Sequence, residues 1–448
     1  MGLPAESQYD LTRGPILDKL LLVALPIIGT QLLLMSYNLV DMFLLGRVGS
    51  EAVASTGLAG MYIWMSEGFL LLGKMGAEIG VSQNLGRRDA ETARKFSHSA
   101  IFLAFAAGIF YGAVLALFSK HLIGFFHVRE ISVASDARNY LVIVSFAIPA
   151  VFVSGAIAGS FTGAGNSRAP FLINACGLIL NAILDAIFIF GFGMGVVGAA
   201  IATAISQFFA CAVSVMSMLK KHDRPFERFV FFEKVNLTAL RQILKWTVPL
   251  CVVSFFFTFF TMFISRLAAS FGAGAIAVYR VGSQIESICW LVGEGTATSI
   301  AAFVGQNYGA AKWDRIKSGV KMALIAWCSW GLFVTFLLIF AGRGAFGFFL
   351  PDSALLDMGQ SFLRILAICE VFGCLEAISF GSMRGLGQTI PQFAVSISCN
   401  ALRIPIAYGM SRVLGVDGVW YGITITASMR GLFAFLWFYR VIKKYGQR

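Results

Sequence analysis

The chain has 448 residues, 58% of them hydrophobic and only 13% charged, with a formal net charge of +12. A soluble domain is roughly 45–50% apolar and about 25% charged, so charge this sparse cannot cover a water-soluble surface of this size. The bilayer must be the solvent for most of the chain. The net charge does not point to nucleic acid, because the basic residues fall in alternate connections between apolar stretches and no stacking aromatics interleave with them.

Read in chain order, residues Met1 to Lys19 are polar and carry Glu6, Asp10 and Asp18, without the basic start and short apolar core of a signal peptide. The first helix is therefore expected to stay as an anchor. Apolar windows long enough to cross roughly 30 Å of hydrocarbon predict twelve helices, near 17–46, 53–83, 97–118, 139–163, 169–192, 195–219, 242–270, 275–306, 319–342, 358–384, 391–413 and 416–440. The longest polar connection lies between the sixth and seventh. The expected division is an N-terminal lobe over 1–220, a cytoplasmic linker over 221–241 and a C-terminal lobe over 242–448. Lys and Arg concentrate at both ends and in every second connection, which places both termini in the cytoplasm; the expected location is the cell inner (cytoplasmic) membrane.

The two halves repeat. Pro26 aligns with Pro249, Gly49 with Gly272, and Gln83-Asn84-x-Gly86 with Gln306-Asn307-x-Gly309. Gly159-Ser160-x-x-Gly163-x-Gly165 meets Gly381-Ser382-x-x-Gly385-x-Gly387, and Gly195-Val196-x-Gly198 meets Gly415-Val416-x-Gly418. These are turn and close-approach residues in unchanged order, which membrane composition alone does not arrange. With six helices per half, both halves start on the same side, so the repeats are parallel. The fold class is an all-α integral membrane protein of twelve transmembrane helices in two parallel six-helix pseudo-symmetric lobes.

An ionised side chain at membrane depth costs several kcal/mol and normally faces a cavity or a partner. The acidic residues within spans are Asp41, Glu67, Glu78, Asp185, Glu286, Glu294, Glu370 and Glu376. Asp41 follows Gln31, Tyr37 and Asn38 on the first helix, beyond Pro26. Asp185 lies one helical turn after Asn181, so both project from one face, and Thr203 follows on the next helix. If these three helices meet, two carboxylates, an amide and a hydroxyl share one pocket. Hard oxygen donors of that kind suit a sodium ion; alternatively, two like charges in low dielectric force one carboxylate to hold a proton. The aligned second-half positions, Ile264 and Ile404 or Pro405, are not acidic. Glu286, Glu370 and Glu376 are candidates for substrate contact or for internal ion pairs. Pro26 removes a backbone bond and is a helix-bending candidate.

The eight cysteines lie in apolar stretches without CxxC or Cys/His metal spacing. No phosphate loop GxxxxGK[ST] is present, so direct coupling to ATP is excluded, and no organic cofactor is expected. An integral membrane transferase needs a catalytic cluster near an interface, but His98, His121, His127 and His222 fall at or beyond predicted helix ends, so an enzyme is not expected.

Leu25-Pro26 leading to Asn38-Leu39-Val40-Asp41, the Gly49-x-x-Ala52-x-Ala54 turn and Gln83-Asn84-x-Gly86 resemble the multidrug and toxic compound extrusion (MATE) family. Asp41 with Asn181 and Asp185 resembles its DinF-like branch. The resemblance implies a cation or proton site at Asp41, Asn181, Asp185 and Thr203, a central cavity between two lobes, and export of amphipathic, often cationic drugs in exchange for H+ or Na+. It also implies bending of the first helix at its proline. A monomer is expected. The competing reading is a lipid-linked precursor flippase of the same superfamily, which carries a more cationic cavity.

Overall fold

A computed structural model describes residues 9–128, 130–219, 225–226, 229, 233–349 and 353–445. Among them are fourteen α-helices and no strand. The first half contains α1 (Ile16–Val48), α2 (Ser50–Gly86), α3 (Ala90–Gly124), α4 (Ile131–Ser145), α5 (Ile148–Gly163), α6 (Arg168–Ala186) and α7 (Gly195–Leu219). The second contains α8 (Leu237–Ala269), α9 (Ala273–Gly309), α10 (Trp313–Phe349), α11 (Ser353–Ala367), α12 (Glu370–Gly385), α13 (Ile390–Leu414) and α14 (Val416–Tyr445). Eight helices of the described residues are long and apolar enough to cross a membrane, and the bent pair α4–α5 makes a ninth. Taking α4–α5 and α11–α12 as single broken spans gives the twelve expected segments of a multi-pass membrane protein.

Two spans differ from their expected form. That expected over 139–163 begins earlier and bends by 47° between α4 and α5. Pro149 sits in the first turn of α5. Its ring collides with the carbonyl four residues back and it has no N–H to donate, so one continuous helix is not available. That expected over 358–384 breaks between Ala367 and Glu370 without a proline. The Ala367 carbonyl freed there accepts a hydrogen bond from Thr335 Oγ1 at 2.8 Å.

The duplication extends to single atoms. Both α1 and α8 have 33 residues with an internal proline, and both α2 and α9 have 37. Asn84 Nδ2 donates to the Gly80 carbonyl and Asn307 Nδ2 to the Phe303 carbonyl, each at 2.8 Å. The Gly-Ser-x-x-Gly-x-Gly motifs explain themselves in this setting. A β-carbon on Gly163 would stand 2.6 Å from the Glu78 carbonyl, and one on Gly385 2.5 Å from that of Ala301. The middle glycine thus lets α5 close on the backbone of α2, and α12 on that of α9. The last glycines, Gly165 and Gly387, have φ of 89° and 72°, a left-handed region that L side chains avoid.

The chain forms two compact units. One holds Leu22–Cys251 and the segment ending at Leu11; the other holds Thr12–Leu21 and Val252–Arg448. The start of α1 is thus part of the second unit, where Ser299 Oγ donates to the Leu20 carbonyl at 2.7 Å and Lys312 Nζ to that of Thr12 at 2.8 Å. The start of α8 is part of the first, where Trp246 stacks on Phe96. Of the connection expected over 221–241, Phe226 and Phe229 are buried in the first unit's core, and Glu233 pairs with Arg94 at 3.2 Å.

Outside the spans, Asp89 caps α3 by accepting from the Thr92 backbone N–H at 2.9 Å. That hydrogen bond to the ionised form holds its carboxyl below the usual range. Because the native value is depressed, the stabilisation is present above the ordinary carboxylate pKa of about 3.9 and fades as the pH falls through the native value. Asp89→Ala should cost about 1 kcal/mol at neutral pH, with a smaller difference from the wild type below about pH 3. Thermal unfolding in detergent at the two pH values checks this; an equal loss at both would remove the charge from the explanation.

Candidate functional site

The proline of α1 leaves the Leu22 carbonyl without its intrahelical donor. Ser167, buried at the start of α6, supplies one: its Oγ donates to the Val23 carbonyl at 2.8 Å and reaches that of Leu22 at 3.3 Å. Gly29 lets α1 approach Phe171 of α6 closely. The helix that carries Asp41 is therefore held against α6, the helix that carries Asp185. Ser167→Ala should lower stability by about 1–3 kcal/mol by leaving a buried acceptor unpaired. An unchanged unfolding midpoint in detergent would show that α1 does not depend on this bond.

Farther along the same two helices the expected polar residues meet. Asp185 is fully buried and Asn181 nearly so, and Asn181 Nδ2 donates to Asp185 Oδ2 at 2.7 Å. The other carboxylate oxygen, Oδ1, is buried and has no hydrogen-bond partner. Asp41, half-buried on α1, lies within electrostatic reach of Asp185. Thr203 of α7 lies close to two phenols, Tyr37 of α1 and Tyr140 of α4. Both phenols feel the two carboxylates. Four helices of one unit thus bring two carboxyl groups, an amide and three hydroxyls together.

Tyr140 is the member that sequence reading missed. It sits in Asn139-Tyr140 on a stretch with no other distinguishing feature, and only the packing of α4 against α7 brings it here. Tyr37, expected as a cavity or bending residue, lies beside the carboxylate group. The side chain of Asn38 lies outside the described residues. Gln31 and Pro26 precede Asp41 by ten and fifteen residues, or roughly 15 and 22 Å at 1.5 Å rise per residue. They stand apart from the carboxylates.

The donor set fits a small hard cation or a proton. All the groups are oxygen or amide donors, and an orphaned buried carboxylate oxygen is the feature either ion would satisfy. Among the described residues no group of three His, Cys, Asp or Glu is placed to hold a metal, so a transition-metal centre does not account for the arrangement.

The second unit does not repeat this site. With α6 and α13 aligned from their first residues, Asn181 corresponds to Arg403 and Asp185 to Ala407. Tyr140 likewise corresponds to Phe362, and with Pro26 and Pro249 aligned Asp41 corresponds to Ile264. Ile264, Phe362 and Ala407 lie in one apolar core with Trp420, whose ring meets Phe362 edge-on at 4.8 Å. Hydrocarbon takes the places of Asp41, Tyr140 and Asp185, while a buried arginine, Arg403, takes that of Asn181.

The acidic candidates of the second unit gather elsewhere. Arg430 Nε donates to Glu376 Oε2 at 2.6 Å, and Arg430 Nη1 to Asn400 Oδ1 at 3.3 Å. The guanidinium also lies over the Trp290 ring, 5.6 Å from its centroid. Trp290 Nε1 donates to Glu286 Oε1 at 3.2 Å, and Arg403 Nε to Thr426 Oγ1 at 3.0 Å. Glu370 is buried, with Oε1 lacking a partner. Glu286, Glu370, Glu376 and Arg430 line one small cavity of about 30 Å³, the space of a single water. Glu376 is thus held in an internal ion pair, whereas Glu286 is half-buried and receives only an indole N–H.

Comparison with known proteins agrees with this duplicated plan. The MatE family model matches residues 26–187 and again 249–409, beginning each time at the proline of the leading helix. The chain is 26% identical over 448 residues to a Thermotoga maritima protein named probable multidrug resistance protein NorM, spanning 97% of this chain and 94% of that one. It is 24% identical over 435 residues to the multidrug export protein MepA of Staphylococcus aureus, spanning 96% and 95%. Among solved structures, MATE in the bent conformation superposes with a TM-score of 0.92 at 20% identity, covering 99% of both chains. A MOP superfamily transporter from Pyrococcus furiosus, described as having a binding pocket of reverse polarity, gives the same score, identity and coverage. These structural likenesses show the fold, and with the family model matching both halves of the chain, the protein belongs to the MatE family, the multidrug and toxic compound extrusion proteins.

Proposed function

We propose that the protein is a secondary multidrug exporter that moves amphipathic, often cationic compounds out of the cell in exchange for H+ or Na+. The observation that carries the reading is the buried Asn181–Asp185 pair, with one carboxylate oxygen left without a donor and Asp41 within electrostatic reach. The family membership and the names of the relatives support the multidrug part.

In this reading the lobes are residues 1–220 and 242–448, joined by 221–241, in the cytoplasmic membrane with both termini inside. A monomer suffices, since the proposed ion site is built within one unit. Asp41 and Asp185 take up one small cation or proton from the outer side. Asn181 holds Asp185 in place, and Tyr37, Tyr140 and Thr203 supply hydroxyls to whichever charge state is present. Exchange follows if ion and drug bind the inward- and outward-facing states unequally, since tight binding alone shifts nothing. Pro26 is the bending candidate in α1 by which uptake alters that helix. Gln31, Asn38, Glu286 and Glu370 are candidates for drug contact, and Glu376 is held for structure by Arg430.

The driving force bounds the result. One charge crossing 100 mV supplies about 2.3 kcal/mol, and a tenfold gradient costs about 1.4 kcal/mol, so one ion sustains about a 50-fold gradient of a neutral drug. Proteoliposomes loaded with ethidium and given an imposed pH or sodium gradient test the proposal. Gradient-dependent dye movement is expected. No movement of any cationic dye, together with headgroup-dependent lipid scrambling, would favour the lipid-linked precursor flippase instead.

A further inference from the structure

A cavity of about 580 Å³ lies in the second unit, within the 300–1,000 Å³ of small-molecule sites. It opens along one face of α11 and is closed by the end of α10 and the start of α14. These are the ends of the helices remote from the C-terminus of α14. Asp357, Ser361, Arg364 and Ile368 stand at helical spacing on that face, so polarity changes with depth along a single stripe.

At the rim, Arg343 Nη1 pairs with Asp357 Oδ1 at 2.6 Å and those charges are matched. One turn in, Asp417 of α14 accepts, among the described residues, a neutral hydrogen bond from Ser361 Oγ at 3.1 Å and no ion pair. Another turn in, Arg364 is exposed and has no ion pair among the described residues. The wall also carries apolar side chains: Phe340, level with Ser361 because the adjacent Ile339 carbonyl accepts from Gln360 Nε2 at 2.8 Å, is 78% exposed, and Ile368, one turn past Arg364, is 56% exposed. Gln360, also in the wall, is 7% exposed and its Oε1 has no partner.

The Asp417 carboxylate, held at Ser361, and the Arg364 guanidinium thus face one cavity, and Ser361 and Arg364 stand about one turn apart on α11, roughly 4.5 Å for three residues. The anion is nearer the rim and the cation one turn deeper, next to the exposed Ile368 side chain, while the exposed Phe340 ring flanks the cavity at the level of Ser361. A zwitterionic phospholipid has the complementary order: ammonium outermost, phosphate below it, acyl chains deepest. Guanidinium is suited to a phosphate because its planar fork matches two oxygens at once.

We propose that this cavity is a binding site for a zwitterionic phospholipid headgroup, with Arg364 on the phosphate, Asp417 on the primary ammonium, and the acyl chains lying over Phe340 and Ile368. An anionic lipid such as phosphatidylglycerol would use Arg364 but meet the Asp417 carboxylate without a cation to offset it. The site therefore discriminates by headgroup, using residues of the second unit alone.

The test is native mass spectrometry of the purified full-length protein. It is titrated with palmitoyl-oleoyl phosphatidylethanolamine or with phosphatidylglycerol of the same chains. Phosphatidylethanolamine should bind about tenfold more tightly, the factor expected from one charge-assisted hydrogen bond. Asp417→Asn should reduce it to the phosphatidylglycerol level while leaving phosphatidylglycerol unchanged or slightly tighter. Arg364→Gln should weaken both lipids. Soluble O-phosphoethanolamine should fail to displace the lipid, because it lacks the acyl chains. Equal affinity for the two lipids, or no response to either substitution, overturns the proposal. Displacement by O-phosphoethanolamine at concentrations matching the lipid overturns the lipid source and assigns the cavity to a soluble zwitterion. The wild-type comparison of the two lipids needs no variant, so it decides even if a substituted protein fails to fold.

Discussion

Asp185→Asn should abolish gradient-driven dye export while leaving the protein folded. The substitution keeps an oxygen to accept the Asn181 amide at the position where 2.7 Å now separates the pair, so the local geometry has little reason to change. What it removes is the charge, and with it the difference between the ion-loaded and ion-free states. If one coupling free energy of about 1–3 kcal/mol links ion and drug, its loss lowers the ion's effect on drug affinity by about 5–150-fold. Asp41→Asn should behave alike, since both carboxyls face the same polar group. The measurement is dye affinity at several pH and sodium values, beside efflux from energised proteoliposomes. In either variant, dye affinity should become insensitive to the ion. A variant that keeps full gradient-driven export would take that carboxyl out of the mechanism.

The largest structural effect is expected at Arg430→Met. The guanidinium offsets the buried carboxylate of Glu376, bonds Asn400 and covers Trp290. Its removal leaves a carboxylate in low dielectric without a counter-charge, which costs about 3–5 kcal/mol in comparable pairs. Adding Glu376→Gln to the same protein should restore most of that loss, because the stranded charge disappears with it. Unfolding in mixed dodecyl sulfate micelles, read as a double-mutant cycle, gives both numbers. If the single substitution costs less than about 1 kcal/mol, the pair behaves as a solvated one and the description of a buried clasp fails. If the double substitution is no better than the single, lost packing rather than charge is the cause. Neither outcome would touch the carboxylate site of the other unit, where no basic side chain takes part in the polar group described here.

Much of this was legible in the sequence. Hydrophobicity marks the spans, since about twenty apolar residues are needed to cross hydrocarbon whatever the tertiary structure. The repeated glycines announced both the duplication and its reason: Gly163 and Gly385 are small because a neighbouring backbone passes within a β-carbon's radius, and Gly165 and Gly387 because the chain turns through positive φ. The pairing of Asn181 with Asp185 followed from helical periodicity. The bend between α4 and α5 was also present in Pro149, but hydropathy windows average over it.

Tertiary structure decided the rest. Tyr140 joins Asp41, Asp185 and Thr203 only because α4 packs against α7, and no local pattern in the chain marks that juxtaposition. Glu376, Glu370 and Glu286 look equivalent as isolated acids in apolar stretches, yet one is locked to Arg430, one is buried with an unpaired oxygen and one remains half-buried. The cavity between Arg364 and Asp417 likewise joins residues far apart in the chain. Backbone needs and apolar length are properties of a segment, so the sequence determined them by itself. The fate of a charge depends on which other charges come within a few ångströms, and that is fixed only when the helices pack.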